Sequence, residues 1–536
     1  MRTLRAILAV TSLLTVCGGV ARADLSCTLN PVTTTILRSE GVTELLPDVS
    51  FSCLGVPPGG SAGFNFTVFV NAPITSKTDG SVNTEAAFHW SGTATGSAVG
   101  VVTGNTTLNF LNVTFAPSAP APGFTLTLSG IRVNVSTMAQ SAGIANGVSV
   151  QIIATPVGTA TPLFGGTSLV SSVQNLAYAI PSLNVQTRVT GAGGTGLVPG
   201  TLSLAQCDVR AWSADSPGPA SFYVTFQEIF SNGFRPQAQE AANPAIPTNG
   251  TRLMVTFGNI PDNVQLYVPN RVVSEGTSPT AAASLVTGAS ATGSGGVLTA
   301  TDGYTQVALT AASGGTVVYE ITAASGPLTE IIDVPVWVGY ASGQLAALTS
   351  VASPVSVAGS YAPVSTAPGA SAGPIPRFTM VPQLTTGVFT IAPCQTSLLF
   401  PYIQTAAGWN TGVAVSNTGA DPFGTLGQAN SCTFYFYGGT PSSTNPIPTP
   451  ATIPAFKTPT IPAGSTWASV ASNMGAVTFQ GYAIAQCDFR YAHGYAFVAG
   501  AISTSFVAQS YLALVLDGGS MPVTPRNRNP GERLTN

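Results

Sequence analysis

The stretch FNFTVFV, residues 64–70, decides the fold. Phe64, Phe66, Val68 and Val70 fall on one side, and Asn65 and Thr67 on the other. A period of two marks a strand with one buried face, because successive side chains leave a pleated backbone in opposite directions. The period returns along the chain. Phe124, Leu126 and Leu128 alternate with Thr125 and Thr127, and Val148, Val150 and Ile152 repeat the pattern. Leu253, Val255 and Phe257 follow, then Val264, Leu266 and Val268, and near the end Cys432, Phe434 and Phe436. Gly, Pro, Asn and Ser separate these runs. The best helical stretch, residues 231–242, is limited by Pro236 and Pro244, since proline breaks a helix interior. Short strands of this kind predict an all-β protein of tandem immunoglobulin-like β-sandwiches.

Charge is scarce. Asp, Glu, Lys and Arg make up 7% of the 536 residues, against roughly a quarter in an ordinary soluble domain. Lys77 and Lys457 are the only lysines, and His89 and His493 the only histidines. Few side chains remain to move protons or hold a metal, which argues against an enzyme and for no cofactor. His493, five residues after Asp488, needs a serine from elsewhere to complete a hydrolytic triad, and no GxSxG elbow supplies one. It reads as a structural histidine packed between tyrosines, and His89, in Phe88-His89-Trp90, reads the same way. Glu40 with Glu44, Glu228 with Glu240, and Glu320 with Glu330 are carboxylate pairs of the kind glycoside hydrolysis uses. None sits in an aromatic cluster that would suggest a sugar cleft, so they read as structural or solvated.

The N-terminus has the form of a secretory signal: Arg2 and Arg5, an apolar run from 6 to 16, and Ala21-Arg22-Ala23 as the cleavage site. The mature chain then begins at Asp24, in an extracellular or cell-surface setting. The signal carries Arg2, Arg5 and Arg22 and no acid, so the formal net charge of −3 becomes about −6 on its removal. That disfavours nucleic acid, which wants a concentrated basic surface, and no later segment reads as inserting in a membrane. Six cysteines remain: Cys27, Cys53, Cys207, Cys394, Cys432 and Cys487. An even number in an exported chain favours disulfides, and the spacing suits no zinc site. Proximity favours Cys27–Cys53 and Cys432–Cys487, leaving Cys207–Cys394 as the third pair.

Composition divides the chain into a signal (1–23), an N-terminal sandwich (24–185), a middle region (186–361), a linker (362–376), a C-terminal sandwich (377–520) and a polar tail (521–536). The linker reads APVSTAPGASAGPIP. A Pro/Thr-rich stretch, 438–464, reads as a long surface loop. AQCDVR at 205–210 recurs as AQCDFR at 485–490, as if one disulfide-bearing strand were used twice.

LLFPYIQTAAGWNTGVAVSNTGADPFGT (398–425) and GYAIAQCDFRYAHGYAFVA (481–499) resemble a C-terminal module of secreted multi-domain β-sandwich proteins of environmental bacteria. RSEGVTELLPDVSFSC (38–53) looks like the matching first module, and NGTRLMVTFGNIPDNVQLYV (249–268) fits the middle. The resemblance implies secretion and β-rich modules, with no activity, cofactor or site residue attached. The sequence thus predicts a non-enzymatic structural protein of the cell surface or extracellular matrix. It would self-assemble into a filament or layer through strand edges that lack the usual guarding charges. The alternatives are a monomeric glycan- or surface-binding adhesin, and a secreted hydrolase.

Overall fold

The computed structural model describes residues 25–55, 61–116, 123–138, 147–158, 163–165, 167–191, 196–205, 212–215, 217–240, 247–262, 264–276, 280–310, 314–340, 355–365, 369–392, 395–422, 427–441, 449–450, 452–502 and 505–516. The signal, the polar tail, Cys207, Cys394 and most of the first AQCDVR echo lie outside these residues. Within them the chain is all-β, with several sheets and only short 3-10 turns such as Gln237–Gln239 and Ala471–Met474.

The first unit is one continuous ladder. Its strands run in the spatial order Ser26–Leu29, Val49–Leu54, Gly123–Ser129, Asn83–Gly92, Gly96–Gly104, Thr107–Phe115, Ala62–Val70, Gly147–Val157, Val170–Ile180 and Thr35–Arg38. All pairs are antiparallel except the last, which is parallel. Phe64, Phe66, Val68 and Val70 point into a core shared with Phe51, Phe88, Phe110, Phe115 and Leu126. A flat sheet could not gather one face of so many strands into a single cluster, so the ladder curls around its own apolar face.

The middle unit is a sandwich. One sheet runs Leu197–Pro199, Leu183–Thr190, Phe222–Glu228, Ile331–Tyr340, Val264–Pro269, Tyr304–Gln306. The other runs Arg271–Val273, Ala282–Thr287, Gly315–Ala323, Arg252–Gly258, Ser356–Ala362, Gln383–Thr386. Phe222, Phe226, Leu253, Phe257, Leu266 and Val336 fill the space between them.

The stretch read as a linker is packed instead. Ala362 and Ile375 are buried. The Val364 N–H donates to the Thr292 carbonyl, and the Ile375 carbonyl accepts from Thr248; residues 366–368 lie outside the described ones. Small neighbours let this backbone lie close against the fold, which composition alone reads as mobility. Phe378, Val388, Phe389 and Ile391 also belong to the middle core, and Phe389–Ala392 pairs in parallel with Leu202–Ala205. The first strand that contributes to the last core is Thr396–Gln404.

That sandwich faces one sheet, Thr449–Pro450, Cys432–Thr440, Gln480–Cys487, Thr396–Gln404, Leu514–Leu516, against a second, Thr466–Val470, Trp409–Asn417, Ala492–Ile502, Ser505–Leu512. Phe400, Val413, Val415, Phe434, Ala485 and Phe489 form its core. The Pro/Thr-rich stretch read as a loop contributes two short strands, Thr449–Pro450 and Phe456–Lys457, which pair with Cys432–Thr440.

Candidate functional site

Among the described residues, several of the few charged side chains lie inside the protein. Arg38, at the end of its strand, is fully buried. Its Nε donates to Glu44 Oε1 at 2.8 Å, its Nη1 to Thr251 Oγ1 at 2.7 Å and to the Gly233 carbonyl at 3.0 Å, and its Nη2 lies 3.1 Å from Glu240 Oε2. Its guanidinium stands 4.8 Å from the centre of the Phe378 ring. Arg235 adds a contact of 3.4 Å to Glu44. Nearby, Arg132 pairs with Glu85 at 2.9 Å and donates to the carbonyls of Thr43 and Glu240. These contacts run from the first unit to the middle one. Glu40 extends the seam by accepting from the Ser182 N–H and hydroxyl.

The electrostatics are those of buried charges held by opposite partners. Burial opposes the Arg38 charge, but Glu240 and Glu44 outweigh it and hold its pKa above the ordinary value. Burial likewise opposes ionised Glu44, yet Arg38 and Arg235 keep its carboxyl below the usual range. Each charge is matched by a fixed partner, as buried charges must be. Glu228 differs: burial pushes it up to about 7, against N–H donors from Phe234 and Glu330.

The residues weighed as chemical candidates are spread over several separate contacts. Glu40, Glu44 and Glu240 sit in the seam, and Glu320 pairs with Arg252 at 3.0 Å. Glu330 accepts from the Thr280 hydroxyl. All six glutamates are buried, so the solvated reading fails for them. His493 is exposed on the outer face of its strand, opposite Ser416, rather than packed away between tyrosines. His89 is exposed as well. Cys27 joins Cys53 and Cys432 joins Cys487, each pair directly opposite on neighbouring antiparallel strands. Asp488 accepts from Gln395, and Arg490 lies 5.3 Å from the Tyr491 ring centre.

The surface that stands out is the C-terminal sandwich. Between residues 395 and 516 the only Asp, Glu, Lys or Arg are Asp421, Lys457, Asp488 and Arg490. In the strand Ala492–Ile502, Ala492, Gly494, Ala496 and Val498 face inward, and His493, Tyr495 and Phe497 face outward. Gly494 is inward because a Cβ there would come within 2.8 Å of Phe400 and 2.6 Å of Ala513. Tyr495 and Phe497 are 44% and 43% exposed. Beside them Gly412, Ala414 and Ala468 make a floor and Val470 a wall, so the sheet carries a shallow groove of about 540 Å³. The adjoining strand Ser505–Leu512 adds Leu512 at 70% and Phe506 at 86% exposure.

The opposite sheet is similar. Tyr435 and Tyr437 face out from a strand whose Phe434 and Phe436 face in. Tyr437 stacks on Tyr482 with ring centres 5.1 Å apart. Sequence reasoning placed no aromatics on these outer faces. The signal was present in FYFY at 434–437, aromatic on both faces, and in AHGYAFV at 492–498, where the large residues occupy the positions opposite to the small ones.

No protein-family model matches the chain, and no curated protein matches it. Among solved structures it is similar to the C-terminal domain of the antigen I/II-family protein AspA of Streptococcus pyogenes, at 7% identity, over 69% of this chain and 99% of that one, with a TM-score of 0.25. It is similar to the C-terminal domain of the AgI/II polypeptide BspA of Streptococcus agalactiae at 8% identity, over 63% and 95% of the two chains, with a TM-score of 0.22. The pilus backbone RrgB of Streptococcus pneumoniae is matched at 8% identity, over 91% and 93%, with a TM-score of 0.14. At values this low the likenesses lend nothing to the reading of function. Among the described residues no helix is long and apolar enough to cross a membrane.

Proposed function

We propose that this chain is a secreted, non-enzymatic protein of the cell surface or extracellular matrix, whose C-terminal sandwich joins copies to one another. One observation carries the reading: the outer face built from Tyr495, Phe497, Leu512 and Val470 is aromatic, aliphatic and free of Asp, Glu, Lys and Arg. Exposed apolar surface of this kind marks an interaction site on a soluble protein. Contacts made by burying it depend little on ion pairs, and at about 1 M salt the screening length is only about 3 Å. The mature protein should therefore scatter light as an assembly across a salt series. Tyr495→Ser combined with Phe497→Ser should lower the assembled mass. A monodisperse monomer at every concentration and salt would reject the reading.

The division into a first unit, a middle sandwich and a C-terminal sandwich belongs to this proposal, as does the third disulfide, Cys207–Cys394. Thiol titration of the unfolded, unreduced mature chain should then find none free. The stacked Tyr437 and Tyr482 favour a second reading, in which this face lies on neutral surface glycans. Flat exposed rings suit the apolar faces of sugars. Retention on insoluble polysaccharide that is lost in Tyr437→Ala, with the assembled mass unchanged, would support it.

A further inference from the structure

We propose that the strand Ser505–Leu512 pairs antiparallel with the same strand of a second copy of this chain, about a two-fold axis through Gln509. The inference rests on the self-association reading above and names its contact. Among the described residues this strand ends its sheet and pairs only with Ala492–Ile502. It has eight residues, SFVAQSYL, all but Tyr511 exposed. Among the described residues, the other strands that end sheets have at most five residues. Proteins guard sheet edges with charges, proline, bulges or short strands. This edge has no charge and no proline, and its register with Ala492–Ile502 is unbroken.

The register follows from the backbone. The Ala513 N–H donates to the Gly494 carbonyl at 2.8 Å. Gly494 and Ala513 thus continue the ladder in which Tyr495 opposes Leu512. In an antiparallel ladder, hydrogen-bonded and non-bonded positions alternate. Tyr511, Gln509 and Val507 therefore turn their backbone groups toward the neighbouring strand. Phe506, Ala508, Ser510 and Leu512 turn theirs to the free edge.

A symmetric antiparallel partner must bond at those free positions, and centring the axis on Gln509 does this along the whole strand. Phe506 then opposes Leu512 of the second copy, and Ala508 opposes its Ser510, each pair exchanging two hydrogen bonds. On the other face Val507 opposes Tyr511. Apolar meets apolar, and no like charges face each other. Shifting the axis to Ala508 leaves Leu512 opposite residue 504, past the end of the strand. Being two-fold, the contact closes at a dimer, so any larger assembly needs a further contact such as the aromatic outer face.

The test is register-specific and uses the full mature chain. Gln509 would oppose itself at a non-hydrogen-bonded position, where Cα atoms lie about 4.5 Å apart, within disulfide reach. The protein already bridges directly opposite positions twice, with Cα separations of 4.0 and 3.9 Å. Gln509→Cys should give a covalent dimer on mild oxidation, at least about tenfold more than Ser510→Cys, which would face Ala508. Ala508→Pro removes only an N–H aimed at the free edge, which edge strands tolerate, and should leave a folded protein that no longer dimerises through this strand. Ser510→Lys, which restores a guarding charge, should do the same and serves where the proline variant fails to fold. If wild type associates but Gln509→Cys links no better than Ser510→Cys, this pairing is overturned and the broader self-association stands. If wild type is a monomer throughout and Gln509→Cys does not link, both are overturned.

Discussion

At the scale of single residues, the chain reverses the usual placement of charge. Ionised side chains ordinarily cover a surface; here Arg38, Arg132, Glu44 and Glu240 are buried between two units while tyrosines stand outside. A buried pair is weak evidence of net stability, but removing one partner strands the other charge without water. Arg38→Ala should therefore cost about 3–5 kcal/mol, read by denaturant unfolding, because Glu44 and Glu240 would both lose their main counter-charge. Surface pairs such as Arg188 with Glu275, where the acid is well exposed, should cost no more than about 1 kcal/mol. Glu228 sets a pH dependence of the opposite kind. Burial raises its folded pKa to about 7, whereas an unfolded glutamate titrates near about 4.3. The fold therefore binds this proton more tightly than the unfolded chain does. Its contribution is full below about pH 4.3 and is lost as pH rises to about 7. Asp333, raised by burial to about 6, acts in the same sense. Stability should fall from pH 5 to pH 7.5, and Glu228→Gln should flatten part of that slope. A slope unchanged in the variant would remove Glu228 as its source.

At the scale of strands, much of the fold was legible because alternation reports burial directly. FNFTVFV forms the strand its period predicts, with Phe64, Phe66, Val68 and Val70 in the core. Three things were not legible. Residues 362–376 read as a linker because Pro, Gly and Ala also make good packing surfaces, and only Val364 and Ile375 hinted at burial. The aromatic outer faces were hidden because an apolar residue in a strand is assumed to point inward. In 492–498 the inward positions are Ala492, Gly494, Ala496 and Val498, so close approach of the two sheets leaves no room for Tyr495 and Phe497. The buried seam was least visible, since Arg38 and Glu240 lie far apart in sequence and only the fold brings them together. Strand pairing also sets the worth of the disulfides. Cys27–Cys53 closes 26 residues and Cys432–Cys487 closes 55. The chain-entropy model gives about 3.5 and about 4 kcal/mol for loops of these lengths. Replacing each pair by alanines should show losses of that order in separate melts, with the second larger. A loss below about 1 kcal/mol in either would mean that cross-strand packing already fixes the register.

At the scale of the whole molecule, the seam and the sheets divide the chain unequally. Arg38, Arg132 and Glu40 tie the first unit to the middle one through buried, mutually dependent contacts. Among the described residues no strand of the C-terminal sandwich pairs with a strand of the middle unit, and that sandwich has its own core. Units coupled by a buried network should unfold together, whereas a unit with a separate core is free to unfold alone. Thermal unfolding at pH 5, under conditions that suppress association, should therefore show two transitions for three units. Arg38→Ala should lower only the transition that the first two share, and the Cys432→Ala, Cys487→Ala pair only the other. Calorimetry of wild type and both variants decides it. Three transitions would mean the seam is too weak to couple its halves. A single one, lowered by both changes, would mean the C-terminal sandwich is held as firmly as the rest and presents its aromatic faces from a rigid body.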